Sequence, residues 1–171
     1  MGRGAIRILG LDPGLARMGW GVIDVAGSRL SHVGHGVLTS SAKLDLGRRL
    51  LALHAALSDV IAELQPAAIA VEQAFVAKDP SAALKIGHAR AIALLAAAEA
   101  GLEIAEYAPN HIKKCVVGVG HAGKEQVQAM VKRLLPTARC EQADAADALA
   151  AAITHAHLAG TRARIQAAIA S

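Results

Sequence analysis

Residues 8–14 have the sequence ILGLDPG, an apolar run that ends in an aspartate, a proline and a glycine. The run predicts a short buried strand over residues 6–11, and Pro13 and Gly14 predict a turn directly after it. Asp12 would then lie at the end of a core strand, where a charge costs stability unless it has a partner. An aspartate before Pro-Gly is also a common turn initiator, so Asp12 by itself does not establish a site.

The remaining patterns place this strand in a sheet. Residues 18–25 and 29–38 are strand candidates joined by a turn at 26–28, so the first three strands form an antiparallel meander. Apolar residues at helical spacing predict a helix over residues 46–64, which Pro66 follows. Later elements are predicted as a strand at 67–73, a helix at 80–100, a strand at 103–107, a short helix capped by Asn110, a helix ended by Pro136, and a last helix at 142–158. This order predicts an α/β fold with a five-stranded mixed sheet flanked by helices.

Composition limits the class of protein. The 171 residues suit one domain over residues 1–158 with a short basic tail at 159–171. The formal charge of +4 favours a polyanionic partner, although many soluble enzymes are as basic. No apolar leader follows Met1, and the longest uncharged stretch is too short to span a bilayer. Cys115 and Cys140 form no zinc motif, so we expect a cytoplasmic protein without a membrane association.

Three more acidic residues lie where carboxylates do not favour stability. Glu72 lies near the end of an apolar strand, and Asp144 and Asp147 share one face of the last helix. If the first and fourth strands pair in parallel, Asp12 and Glu72 meet at the carboxyl edge of the sheet, where ligands bind. The structural alternatives are a lysine partner for Glu72 and favourable helix-dipole positions for the two aspartates.

Convergence of four carboxylates has an electrostatic cost. Two of them about 4 Å apart repel by roughly 4 kcal/mol at an effective dielectric of 20. They therefore need raised pKa values or a bound cation. Oxygen ligands suit Mg²⁺ or Mn²⁺ rather than Zn²⁺, and two such ions commonly activate the water and stabilise the leaving oxygen in phosphodiester hydrolysis. The pattern predicts a two-metal nuclease site.

Three segments of the chain resemble the signature segments of the RuvC crossover-junction endonucleases. They are ILGLDPG at 8–14, VEQAFVAK at 71–78 and QADAADAL at 142–149, and the resemblance extends over residues 6–157. It implies an RNase H-like fold, a homodimer, and nicking of two opposed strands in a four-way (Holliday) junction, in homologous recombination and DNA repair. It also implies two Mg²⁺ ions per site, for which Mn²⁺ can substitute, and the RuvA–RuvB branch-migration complex as a partner.

The resemblance also assigns roles to individual residues. Those it makes metal ligands and catalytic residues are Asp12, Glu72, Asp144 and Asp147. Lys113 and Lys124 match basic positions near the scissile phosphate. Phe75 matches an aromatic residue in a loop that touches unpaired junction bases. Lys78 lies in the same segment and is a further candidate DNA-binding residue.

Two other functions compete with this interpretation. An actin-like sugar kinase or ATPase can share the turn after the first strand, but it needs a second domain that 171 residues cannot supply. A catalytically inactive junction-binding protein of the same fold should lack at least one metal carboxylate, and all four are present.

The alanine-rich helix predicted over residues 80–100 is our candidate dimer surface. Small residues permit a close approach between two helices. Ordinary packing of this helix on the sheet is the alternative.

Overall fold

The computed structural model of the protein describes residues 4–73 and 79–169, with residues 162–169 described by their backbone alone. The strands in these ranges are β1 (Ile6–Asp12), β2 (Arg17–Ala26), β3 (Arg29–Thr39), β4 (Ala68–Glu72) and β5 (Ile104–Tyr107). The helices are α1 (Leu46–Leu64), α2 (Pro80–Glu99), α3 (Pro109–Val117), α4 (Lys124–Leu134) and α5 (Ala143–Ile169). The predicted order of strands and helices is confirmed.

The strands form one mixed sheet in the order β3-β2-β1-β4-β5. β1 pairs antiparallel with β2 and parallel with β4, and β4 pairs parallel with β5. Leu11 lies opposite Val71, so Asp12 and Glu72 each follow one residue later on neighbouring strands. The parallel pairing on which the predicted site depends is therefore present, and it brings both residues to the same edge.

Helices cover both faces of the sheet. The core has two clusters of apolar residues, one on each face of the sheet. Leu9 and Leu11 of β1 pack with α1 and α2 in one cluster, whereas Ile8 packs with residues of α3, α4 and α5 in the other. This alternation follows from the strand, whose successive side chains point to opposite faces. Burial on both faces explains why β1 is a continuous apolar run that ends abruptly at Asp12.

Glycines in the sheet allow α5 to lie close to it. A Cβ atom on Gly10 would lie 1.9 Å from the carbonyl oxygen of Ala148, and one on Gly19 would lie 2.0 Å from that of Asp144. Ala145 and Ala148 of α5 are fully buried. Neither glycine has room for a methyl group, so this contact fixes the position of the helix that carries Asp144 and Asp147.

Two helix boundaries differ from the prediction. α3 begins at Pro109 with Ala108 as its N-cap, so Asn110 is not the cap. Proline suits the first helical position because its φ angle is already helical and it has no N–H group to satisfy. α5 continues to Ile169 instead of ending near residue 158, because the segment that follows Thr161 consists mainly of alanine and arginine, which favour helix.

The alanine-rich face of α2 packs within the chain. The alanines of this face that are buried in the core are Ala89, Ala93, Ala96 and Ala97. These four alanines follow the alternative of packing within the chain, whereas Ala91 and Ala98 of the same helix are exposed. The exposed side of α2 therefore stays a predicted dimer surface. α2 is also the helix of the described chain that has the length and hydropathy to cross a membrane, and a single helix of this kind is weak evidence for a span.

Candidate active site

The structure brings the four predicted carboxylates to one edge of the sheet. Asp12 ends β1, Glu72 ends β4, and Asp144 and Asp147 lie in the first two turns of α5. The charges of Asp144 and Asp147 both act on Asp12, and those of Asp12 and Asp147 act on Glu72. Residues from three separate parts of the sequence thus form one acidic site.

This site raises the pKa of two of its members. The pKa of Asp12 rises to about 7, through burial and then the charges of Asp147 and Asp144. The pKa of Glu72 also rises to about 7, through burial and then the charges of Asp12 and Asp147. Lys124 lowers both values but does not offset the increase. The basic side chains at this edge do not neutralise all of the carboxylates, so the site favours binding of protons or of a cation.

Two basic side chains pair with the aspartates of α5. Nζ of Lys124, the first residue of α4, lies 3.0 Å from Oδ2 of Asp147. Nε of Arg17, the first residue of β2, donates a hydrogen bond of 2.7 Å to Oδ2 of Asp144. Sequence reasoning did not identify Arg17. The antiparallel pairing of β2 with β1 could have revealed it, because Gly19 is the partner of Asp12 and Arg17 lies just beyond it.

A cavity of about 210 Å³ opens beside the carboxylates. Glu72, Asp147, Lys113 and Lys124 contribute its charged groups. Its apolar lining comes from Pro109, Ile112, Val127 and Ala150. Lys113 and Lys124 thus lie beside the acidic site, and their contact with a phosphate stays a prediction.

Two of the predicted DNA-binding residues, Phe75 and Lys78, belong to residues 74–78. These lie outside the described residues, so the structure gives them no position.

The donor chemistry of the site fits a hard divalent cation. All four acidic side chains offer carboxylate oxygens, which Mg²⁺ and Mn²⁺ prefer. Within residues 4–73 and 79–169, no three His, Cys, Asp or Glu side chains are arranged closely enough to hold a metal ion as they lie. Asp144 and Asp147 are engaged by Arg17 and Lys124 instead. An ion would therefore compete with these two basic groups.

The raised pKa values predict how stability depends on pH without metal. Asp12 and Glu72 titrate near pH 7 in the folded chain and near pH 4 when unfolded, so between these values the folded state binds more protons. We therefore expect the contribution of Asp12 and Glu72 to the free energy of unfolding in EDTA to decrease as pH rises from 4 to 7. Urea unfolding of the wild type and of a Glu72→Gln variant measures this. Identical pH profiles for the two proteins would contradict the prediction.

A mixed sheet of this order, with carboxylates at the ends of β1 and β4 and on α5, defines the nuclease-type site of an RNase H-like fold. The family model for "Crossover junction endodeoxyribonuclease RuvC" matches residues 8–155. Over 165 residues the chain is 58% identical to the RuvC endonuclease of Parvibaculum lavamentivorans, covering 96% of this chain and 94% of that protein. The corresponding protein of Cereibacter sphaeroides is 57% identical over 165 residues, with 96% and 98% coverage.

A solved structure agrees with these relatives. The Thermus thermophilus RuvC in complex with a Holliday junction substrate superposes with a TM-score of 0.86. It shares 34% sequence identity and covers 91% of this chain and 96% of its own. The chain belongs to the RuvC family of crossover junction endodeoxyribonucleases.

Proposed function

We propose that the protein resolves Holliday junctions by hydrolysing phosphodiesters in two opposed strands, in homologous recombination and DNA repair. The observation that carries this proposal is the convergence of Asp12, Glu72, Asp144 and Asp147 at one sheet edge. The raised pKa values of Asp12 and Glu72 support it, because both carboxyls gain from a neighbouring cation. A junction-binding protein without activity would have no need to keep four carboxylates in this costly arrangement.

The resident cofactor in this proposal is Mg²⁺, with two ions per site and Mn²⁺ able to substitute. When bound, these ions supply Lewis-acid activation of the attacking water and stabilisation of the leaving oxygen. The four carboxylates hold the ions. In this proposal Lys113 and Lys124 bind the phosphate beside the ions, which is supported by their position in the lining of the adjacent cavity.

The proposal extends to the assembly. Two opposed strands require two active sites, which a two-fold homodimer provides. The RuvA–RuvB branch-migration complex is the proposed partner, and the cytoplasm the proposed location. Within the chain, residues 1–158 form the nuclease domain and residues 159–171 a basic extension, helical in its backbone as far as Ile169.

A labelled four-way junction tests the proposed function directly. With Mg²⁺ we expect paired nicks in opposed strands, and with EDTA we expect none, because the carboxylates then hold no ion. A duplex of matched sequence is the control and should remain uncut. Cleavage that persists in EDTA, or a junction that is bound but never cut in either Mg²⁺ or Mn²⁺, would refute the proposal.

A second prediction concerns Phe75, whose role we propose from the sequence. Stacking on an aromatic ring stabilises an unpaired base by about 1–3 kcal/mol, and only a junction offers such bases. We expect Phe75→Ala to weaken junction cleavage by about tenfold with little effect on duplex binding, since 1.4 kcal/mol corresponds to a factor of ten. Phe75→Trp should retain most of the cleavage. A loss of thermal stability that parallels the loss of cleavage would instead make Phe75 a core residue.

A further inference from the structure

A second basic surface lies on the side of the sheet that α1 and α2 cover. It is an open cleft of about 400 Å³ between the turn after β1, helix α1 and the first turns of α2. Its charged lining residues are Arg17, Arg49 and Lys85, and none of the described lining residues is acidic. We call it the Arg17–Arg49–Lys85 cleft. Arg17 pairs with Asp144, but Arg49 and Lys85 form no ion pair with any residue that the structure describes, so the cleft favours an anionic partner.

Arg49 is held in place within this cleft. Its Nε donates a hydrogen bond of 3.1 Å to Oγ of Ser40, and its Nη2 donates one of 3.4 Å to the carbonyl oxygen of Leu15. Ser40 Oγ in turn donates to the same carbonyl oxygen. A guanidinium has five N–H donors in a rigid fork, so donors remain for a further acceptor. A fixed guanidinium with free donors suits a phosphate oxygen pair.

Arg17 joins this cleft to the active site. Its Nε binds Asp144, and its side chain, which is about half exposed, also lines the cleft. Lys113 and Lys124 lie in the other cavity, among residues of α3, α4 and α5 on the opposite face of the sheet. Basic groups therefore flank the carboxylates on both sides, so a polyanionic chain that crosses the site meets positive charge before and after it.

We infer that the Arg17–Arg49–Lys85 cleft binds a backbone phosphate of the DNA strand that is cleaved. The phosphate lies on the α1–α2 side of the carboxylates, and Lys113 and Lys124 contact the strand on the other side. The inference rests on the proposed function, since it names how that site holds its substrate strand. Contact through a phosphodiester carries no sequence information and positions the strand instead.

The test measures junction binding without cleavage, in EDTA, as a function of salt concentration. Each lost phosphate contact reduces the slope of log Kd against log salt by about one. We expect Arg49→Gln and Lys85→Gln each to reduce this slope, by about one at most because both residues contact the same phosphate, and to weaken binding by about tenfold at moderate salt. Lys132→Gln removes the same charge from an exposed position on α4 and should leave the slope at the wild-type value.

Lys85→Gln decides the test if Arg49→Gln lowers the melting temperature, because Lys85 is exposed and has no ion pair with any described residue. A slope and Kd equal to those of Lys132→Gln would overturn the inference. Failure of the proposed function gives a different result, in which the wild-type protein binds the junction but cuts it in neither Mg²⁺ nor Mn²⁺, whatever the two variants do to the salt slope.

Discussion

Asp12→Asn is expected to abolish junction cleavage while the protein becomes more stable without metal. The substitution removes one charged oxygen ligand from the site, and we expect the rate to fall at least about a hundredfold, or roughly 2.7 kcal/mol of barrier. Stability should rise because the pKa of Asp12 is raised to about 7, so its charge is unfavourable in the folded chain at higher pH. Cleavage in Mg²⁺ and urea unfolding at pH 8 in EDTA measure the two effects.

Asp24→Asn is the matched control for this change. Asp24 accepts two hydrogen bonds from Arg7, of 2.8 and 3.0 Å, which lower its pKa. Loss of its charge should therefore reduce stability and leave cleavage unchanged, the reverse of the result for Asp12. If Asp12→Asn cuts a junction at the wild-type rate, the metal-site proposal is wrong. If it loses both cleavage and stability, Asp12 is a structural residue.

The acidic site was predictable because it violates the pattern around it. Asp12 and Glu72 each end an apolar strand, where a carboxylate costs stability unless it has a partner or a bound cation. Parallel pairing of their strands then fixes them side by side. The spacing of Asp144 and Asp147 on a helix supplied the rest. The order of strands and helices was predictable from the spacing of apolar residues. A strand or helix that is buried on one or both faces carries apolar residues at a regular spacing, which can be recognised in the sequence.

Groups that act through tertiary contacts were not predictable in this way. Arg17 resembles any exposed arginine until β2 pairs with β1 and α5 packs above it. The sequence also did not decide what the alanines of α2 pack against, because small residues allow close packing against a sheet or against a second helix. The N-cap of α3 depended on whether Pro109 would begin the helix, and both Asn110 and Pro109 are favourable near that position.

The ion pairs of α5 show how the site is balanced without metal. Arg17 and Lys124 neutralise Asp144 and Asp147, whereas Asp12 and Glu72 keep raised pKa values. A phosphate that attracts Arg17 or Lys124 would release the aspartate it holds. Binding of the DNA strand and binding of cations would then favour each other, because each removes a competitor of the other.

Gly19→Ala is expected to impair both the fold and the catalytic site, although residue 19 has no functional group. Its methyl carbon would lie 2.0 Å from the carbonyl oxygen of Asp144 and 3.0 Å from the backbone nitrogen of Ala145, so the start of α5 must move. We expect the free energy of unfolding to fall by about 1–3 kcal/mol. Displacement of Asp144 and Asp147 by about 1 Å should lower cleavage by around a hundredfold.

Gly34→Ala provides the control for Gly19→Ala, since it adds the same methyl group to a neighbouring strand. There the new carbon would meet only Trp20, at 3.4 Å and through side-chain atoms, which is an ordinary contact. We expect Gly34→Ala to keep both its stability and its cleavage rate close to wild type.

Urea unfolding and junction cleavage under saturating Mg²⁺ compare the two variants. The close packing of α5 positions the aspartates only if Gly19→Ala loses cleavage under conditions where it is still folded. A folded Gly19→Ala protein with the wild-type rate would show that the site tolerates movement of α5, and that the glycine serves packing alone.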